Sequence, residues 1–234
     1  MRYPSLSNTP IREIVFSLSY SELVDKDCFK KFINVDSIKK KFIDIKPSID
    51  QKFNINNGKI EVDSIENGVH LKNENEVLQL KKGSLSYHYL NGYKEYSKLL
   101  ASIVEYWKIF DEVTKDTLTI TNYSVRYINL IEIDKENKPT HLVQLYPKQS
   151  FDKEVINFQN SVQFKYNDKK DYTVNAVSTR LKDNNIVLDI SVNGEIKDIT
   201  KEKLNFEKLF EPLRELKNRA FFDSITARAL IKYI

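Results

Sequence analysis

The sequence predicts an α+β fold of two similar, tightly packed lobes, each running strand–helix–antiparallel strands–long helix. Three observations carry this expectation. Each half ends in a long amphipathic stretch closing on Phe-Asp-x-(Val/Ile)-Thr: Phe110-Asp111-Glu112-Val113-Thr114 in the first, Phe222-Asp223-Ser224-Ile225-Thr226 in the second. Several short Tyr- and Val-rich segments with strand-like alternation precede each stretch. With only 5 Gly and no Ser- or Pro-rich linker, the halves 1–116 and 117–234 are expected to pack as one compact unit.

The first half opens with a strand over 11–20, after the turn signal Asn8-Thr9-Pro10. Residues 21–45 read as helix with breaks, carrying Phe29, Phe32 and Ile33 at helical spacing. A loop is expected at 54–58. Short strands follow over 59–65, 69–73, 76–81 and 84–90, with Asn67-Gly68 and Lys82-Gly83 placed as hairpin turns. The first long helix spans 93–114. Its Tyr96, Leu99, Leu100, Ile103, Trp107 and Phe110 recur every three or four residues, which buries one face.

The second half restarts with a strand over 118–133. A loop through Asp134 to Pro139 and a short helical turn at 141–146 capped by Thr140 are expected next. Strands over 153–166, 171–181 and 186–193 lead to the second long helix, 203–225, with Leu209, Leu213, Leu216 and Ala220 inward. Pro212 is expected to kink that helix or start a second segment.

Composition bounds the class. No run of 18 apolar residues exists, so no membrane span is expected. The single Cys28 excludes an internal disulfide and fits a reducing compartment, so the expected location is cytoplasmic. The net charge of +4 comes from interleaved Lys and acids rather than a segregated basic patch; its densest cluster is Lys39-Lys40-Lys41. His70, His88 and His141 stand at no metal-ligand spacing, so no metal is expected. Phosphate loops, nucleophile elbows and dinucleotide fingerprints are absent, and no cofactor is expected.

The segment Ser124 to Ile133 is the richest candidate. Alternation puts Val125, Tyr127, Asn129, Ile131 and Ile133 on one face and Arg126, Ile128, Leu130 and Glu132 on the other. Both faces are largely apolar, which predicts a central strand covered on each side. A buried Asn129 needs its amide satisfied, and Arg126 needs a partner such as Asp189. Arg126, Asn129, Glu132 and Asp189 therefore form the candidate binding or structural polar cluster. Tyr87 and Tyr89, around His88, are the candidates for stacking a base on an exposed sheet. His88 itself reads as a surface or hydrogen-bonded structural residue.

With these pieces in view, the chain resembles a sporadically distributed bacterial family of uncharacterised proteins of about this size. The matching residues are Tyr3-Pro4-Ser5-Leu6, Pro10-Ile11-x-Glu13, Arg126-Tyr127-Ile128-Asn129 with Glu132-Ile133, Leu188-Asp189-Ile190, Leu216-x-Asn218 and Phe222-x-x-x-Thr226. Thr9 precedes Pro10 where many relatives carry another Pro. The resemblance implies a bacterial protein encoded near mobile or anti-phage defence genes, and it implies no activity.

The expected function is a non-enzymatic binding or adaptor protein whose partner is another protein. The alternative is a nucleic-acid-binding component with a duplicated fold like that of TATA-binding proteins. A nuclease using Arg126, Glu132 and Asp189 is the lesser reading.

Overall fold

In a computed structural model the described strands form one continuous antiparallel sheet, and the described helices cover one of its faces. The structure describes residues 3–22, 24–56, 59–93, 95–115, 118–133, 142–144, 158–181, 185–196 and 205–234, with no side-chain description at 52–56 and 59–63. The elements are β1 (Ile11–Tyr20), α1 (Lys26–Ile33), α2 (Asp36–Lys41), β2 (Asp44–Asn56), β3 (Lys59–Lys72), β4 (Glu76–Lys81), β5 (Ser84–Tyr89) and α3 (Tyr96–Val113). There follow β6 (Ile120–Glu132), β7 (Gln159–Phe164), β8 (Tyr172–Arg180), β9 (Asn185–Glu195), α4 (Phe206–Ser224) and α5 (Ala227–Leu230). The expected loop at 134–139 and the cap at Thr140 lie outside the described residues, as does His141. Of the expected turn at 141–146, Val143 is seen as an isolated bridge to Ile225.

The strand order is β2-β3-β4-β5-β1-β6-β9-β8-β7. β1 and β6 lie side by side at the centre, from Ile11 opposite Asn129 to Tyr20 opposite Ile120. After β1 the chain crosses through α1 and α2 to the β2 edge and steps back inward to β5, which pairs with β1. β7, β8 and β9 likewise step inward from the other edge to β6. α3 follows β5, and α4 follows β9. The α+β class is clear, and the residues of both halves share this single sheet.

Alternation decides what the helices touch. Ile14, Phe16, Leu18 and Tyr20 of β1 are buried beneath them, as are Tyr123, Val125, Tyr127 and Ile131 of β6. Phe16 meets Tyr96 of α3 at 5.7 Å and Phe210 of α4 at 5.3 Å between ring centroids, and Tyr123 meets Phe210 at 5.7 Å. Tyr20 packs on Phe110, which also takes Phe32 of α1 edge-on at 5.7 Å. The Tyr96 hydroxyl donates to the Phe210 carbonyl at 3.0 Å and ties α3 to α4. Asp25 and Asn205 cap α1 and α4 by accepting from Cys28 N and Lys208 N.

Glu76 is the one buried carboxylate among the described residues. It accepts from the Tyr87 hydroxyl at 3.0 Å and the Tyr106 hydroxyl at 3.1 Å, and pairs with Lys41 Nζ at 2.8 Å. Burial alone would raise its carboxyl, but Lys41 and the two hydroxyls outweigh that and hold it below the usual range.

Several sequence expectations are corrected. Residues 44–45, expected at the end of a helix, and the expected loop residues 54–56 belong to β2. Pro47 hid that strand, and it is tolerated because β2 is an edge strand. Asn67-Gly68 is no hairpin turn: β3 runs through it, with a register shift opposite at Ser48/Ile49. A side chain at Gly68 would meet the Leu80 carbonyl oxygen at 1.9 Å, so glycine is required by close approach of β4 rather than by a turn. α4 is continuous through Pro212. Gly68→Ala should therefore destabilise the fold by at least roughly 1–3 kcal/mol through forced displacement of β4. Urea unfolding of the variant beside the wild type measures it, and an unchanged midpoint would contradict the close approach.

Candidate functional site

The helix-covered side carries a cavity of about 930 Å³ between the N-terminal segment and α4. Tyr3 to Leu6 and Thr9 to Ile11 form one wall, and Glu211 to Phe222 of α4 form the other. The segment is fastened at both ends of its path. Tyr3 stacks on Phe222 at 4.5 Å, and Ser7 N donates to the Tyr233 carbonyl at 2.7 Å. Ion pairs sit at the rim: Arg219 with Asp168 at 2.9 Å, and Arg214 with Glu211 at 3.3 Å.

Lys217 lines this cavity and is only 8% exposed. Its ammonium lies over the Tyr127 ring, 3.7 Å from the centroid. It makes no hydrogen bond or ion pair among the described residues. Burial strips water from the charged form and, with Arg214 nearby, pushes the amine down to about 7. Asn129, which is 2% exposed, also lines the cavity. Its Nδ2 donates to the Leu188 carbonyl at 2.9 Å and the Tyr127 carbonyl at 3.3 Å, leaving Oδ1 without a donor among the described residues. The cavity thus holds a cation and an amide oxygen with unused capacity, framed by tyrosine and phenylalanine rings. Its volume is within the ordinary range for small-molecule sites.

Among the described residues no helix lies over the opposite sheet face. Arg126 lies there, half exposed, its Nε donating to Asp189 Oδ1 at 2.8 Å and its Nη2 to Oδ2. Register places short polar side chains in rows across this face. One row runs Gln79, Ser86, Ser17, Ser124, Asn193 and Thr173. The next runs His88, Val15, Arg126, Ser191, Asn175 and Gln163.

The four residues expected to cluster are therefore split. Arg126 and Asp189 pair on the open face, and Asn129 faces the cavity on the covered one. Glu132 is exposed at the end of β6, 4.0 Å from Arg12. β6 is central, but among the described residues helices cover only one of its faces, which corrects the expectation of cover on both. Tyr87 is fully buried with its hydroxyl on Glu76, so it cannot stack a base. Tyr89 is partly buried against the core. Lys41 of the basic cluster is committed to Glu76.

Sequence reasoning missed Lys217, although the signal was present. Phe210, Leu213, Lys217, Phe221 and Ser224 lie on one buried stripe of α4, so a lysine interrupts an apolar face at helical spacing. No described helix is long and apolar enough to cross a membrane. No group of three His, Cys, Asp or Glu that could hold a metal occurs among the described residues. No protein-family model matches the chain, and no curated protein matches it.

The split site predicts a contrast. Asn129→Ala removes the two hydrogen bonds of a buried amide and opens its space, and should cost roughly 1–3 kcal/mol. Arg126→Ala removes the partner of Asp189 from a pair in which the arginine is half exposed and the aspartate 18% exposed, and on the open face should cost about 1 kcal/mol. Chemical denaturation of the two variants checks this, and a larger loss for Arg126→Ala would reverse the assignment.

Proposed function

We propose that the chain is a binding module that takes a small molecule with an anionic group in the cavity beside α4. One observation carries this reading: Lys217 is a nine-tenths-buried amine with no counter-charge among the described residues, in a space large enough for a ligand. Burying an unpaired cation is costly. A carboxylate or phosphate in the cavity would supply the missing partner and draw the proton back onto the amine. Asn129 Oδ1 offers an acceptor to a hydroxyl or amide of the same ligand, and the aromatic walls suit an apolar body.

The repeated helix endings and the matching course of the two halves through the sheet support descent from a duplicated unit. They also favour, as the second reading, a module like the duplicated TATA-binding fold, whose uncovered sheet would be the working face. The charges on this sheet weigh against nucleic acid, because its central arginine, Arg126, is committed to Asp189 and the Glu13 carboxylate stands near it. Of the residues carrying the family resemblance, Tyr3 to Leu6, Pro10-Ile11, Asn129, Leu216, Asn218 and Phe222 reach the cavity, whereas Arg126, Glu132 and Leu188-Asp189-Ile190 do not. That convergence favours a ligand there.

Lys217→Met tests the proposal. Removing a buried unpaired amine should raise the melting temperature at pH 7, by an amount equivalent to about 1–4 kcal/mol. The same change should abolish the thermal shift and the calorimetric binding given to the wild type by at least one of phosphate, citrate, benzoate or a nucleoside monophosphate. A saturating ligand at a hundred times its Kd adds about 2.7 kcal/mol. A variant that melts lower, or a wild type that none of these anions stabilises, would overturn the reading.

The pH dependence has a definite sign. The unfolded lysine keeps its proton to about 10.4, whereas the folded one releases it near 7. Between those values the unfolded state binds more protons, so this group makes stability rise with pH. The other titrating groups around the cavity are Tyr3, Tyr93, Tyr127, Asp168, Lys169, Glu211, Arg214, Glu215 and Arg219. They are common to both proteins, so the difference between wild type and Lys217→Met isolates the lysine. That difference should narrow steadily from pH 7 to 10.

A further inference from the structure

On the helix-free face, opposite the cavity, three side chains form one hydrogen-bonded chain. Ser86 Oγ lies 3.0 Å from His88 Nε2, and His88 Nδ1 lies 2.7 Å from Glu13 Oε1. The sheet builds it from alternation and register. Ser86 and His88 are two apart on β5 and so share a face. His88 sits opposite Val15 of β1, and Glu13 is two residues further along on the same side.

The polarity of the chain follows from its ends. The His88 hydrogen bond holds the Glu13 carboxyl below its usual range, against the opposing effect of partial burial. An ionised carboxylate only accepts, so Nδ1 carries the proton and donates to Glu13. In the neutral imidazole Nε2 is then an acceptor, and the Ser86 hydroxyl donates to it. This is the arrangement in which a base can take the proton of a serine while a carboxylate orients that base.

A second observation completes the site. The cross-strand neighbours of Ser86 are Gln79 and Ser17. Neither makes a side-chain hydrogen bond among the described residues, so a primary amide and a hydroxyl stand free to donate beside the serine. Val15 and Val77 flank His88 and are 6% and 7% exposed, giving the imidazole an apolar border.

We propose that Ser86 is a nucleophile that forms an acyl-serine with small carboxylic esters, with His88 as its base and Glu13 as the positioning residue. Oγ bonds to the ester carbonyl carbon as its proton passes to His88 Nε2. The carbonyl electron pair moves onto oxygen, where Gln79 and Ser17 donate to it. Collapse expels the alkoxide, which takes the proton from His88 and leaves as the alcohol. Water then adds to the acyl-serine, giving its proton to Nε2. A second collapse releases the carboxylic acid and returns the proton to Ser86. Glu13 stays ionised throughout and stabilises the imidazolium. The proposal is independent of the cavity on the other face, so either can fail without the other.

The test uses the full chain and an alkyl fluorophosphonate, which phosphonylates an activated serine with loss of fluoride. Peptide mapping should place the label on Ser86, within the tryptic peptide from Gly83 to Lys94, and fragmentation separates it from Ser84. His88→Ala should slow labelling and p-nitrophenyl acetate hydrolysis by ~10²–10⁴-fold. Glu13→Gln should slow both, and Glu13→Asp, which keeps a carboxylate, should restore part of the lost rate; a glutamate that only held the fold would show no such dependence while the melting curve is unchanged. The other charged residues on this face near the chain are His70, Lys72, Asp44, Lys46 and Lys81 on one side and Arg126 with Asp189 on the other. These stay unchanged in the variant, and melting curves confirm that each variant is folded. A wild type labelled on no serine, label on Ser84 or Ser17 in place of Ser86, or undiminished labelling in His88→Ala would each overturn the proposal.

Discussion

The structure depends on the pairing of β1 with β6. These two strands join the halves of the chain, and their register fixes which side chains meet the helices across the whole sheet. A slip of one residue would turn Phe16 and Tyr127 outward and bring Glu13 and Arg126 inward. The hydrophobic difference between the two faces makes such a slip prohibitive, because Ile14, Phe16, Leu18, Val125, Tyr127 and Ile131 are all essentially fully buried on the covered side. Each candidate site inherits its position from this register. Asn129 reaches the cavity because it shares a face with Tyr127. Glu13 reaches His88 because it shares a face with Val15.

Much of the fold was legible, since alternation and helical spacing report burial directly. α3 showed itself in the stripe from Tyr96 to Phe110, and β6 in its long alternating run. β2 did not, because Pro47 and the polar residues around it are what an edge strand tolerates and a central strand does not. Gly68 misled for a related reason. An Asn-Gly pair between two strand-like runs signals a hairpin, whereas here the glycine answers to the carbonyl of Leu80 on the neighbouring strand. That contact is invisible along the chain.

The sites were less legible than the fold. Alternation placed Arg126 and Asn129 on opposite faces of β6, yet it could not say that no described helix covers one of them. Without that fact a two-sided strand and a one-sided strand with a polar surface read alike. Tyr87 and Tyr89 look like a surface platform in sequence, but a helix covers their side and the hydroxyl of Tyr87 satisfies Glu76. The Ser86–His88–Glu13 chain was hidden because Glu13 enters from a strand more than seventy positions away in sequence. Pairing distance, not residue type, concealed it.

Buried charge separates what holds this fold from what the fold is kept for. Among the described residues two charged side chains are buried, Glu76 and Lys217. Glu76 violates the apolar pattern of β4 but is answered by Lys41, Tyr87 and Tyr106, so its desolvation is offset and the group pins α2 and α3 to the sheet. Lys217 violates the apolar stripe of α4 and is answered only by the face of Tyr127. A cation over an aromatic ring gains about 2 kcal/mol when desolvated, against several kcal/mol for burying the ion. Methionine at this position would fill the same space without that deficit. A residue that costs stability where a simpler one would serve points to a requirement outside the folded chain itself, and the cavity that Lys217 lines is where that requirement would be met.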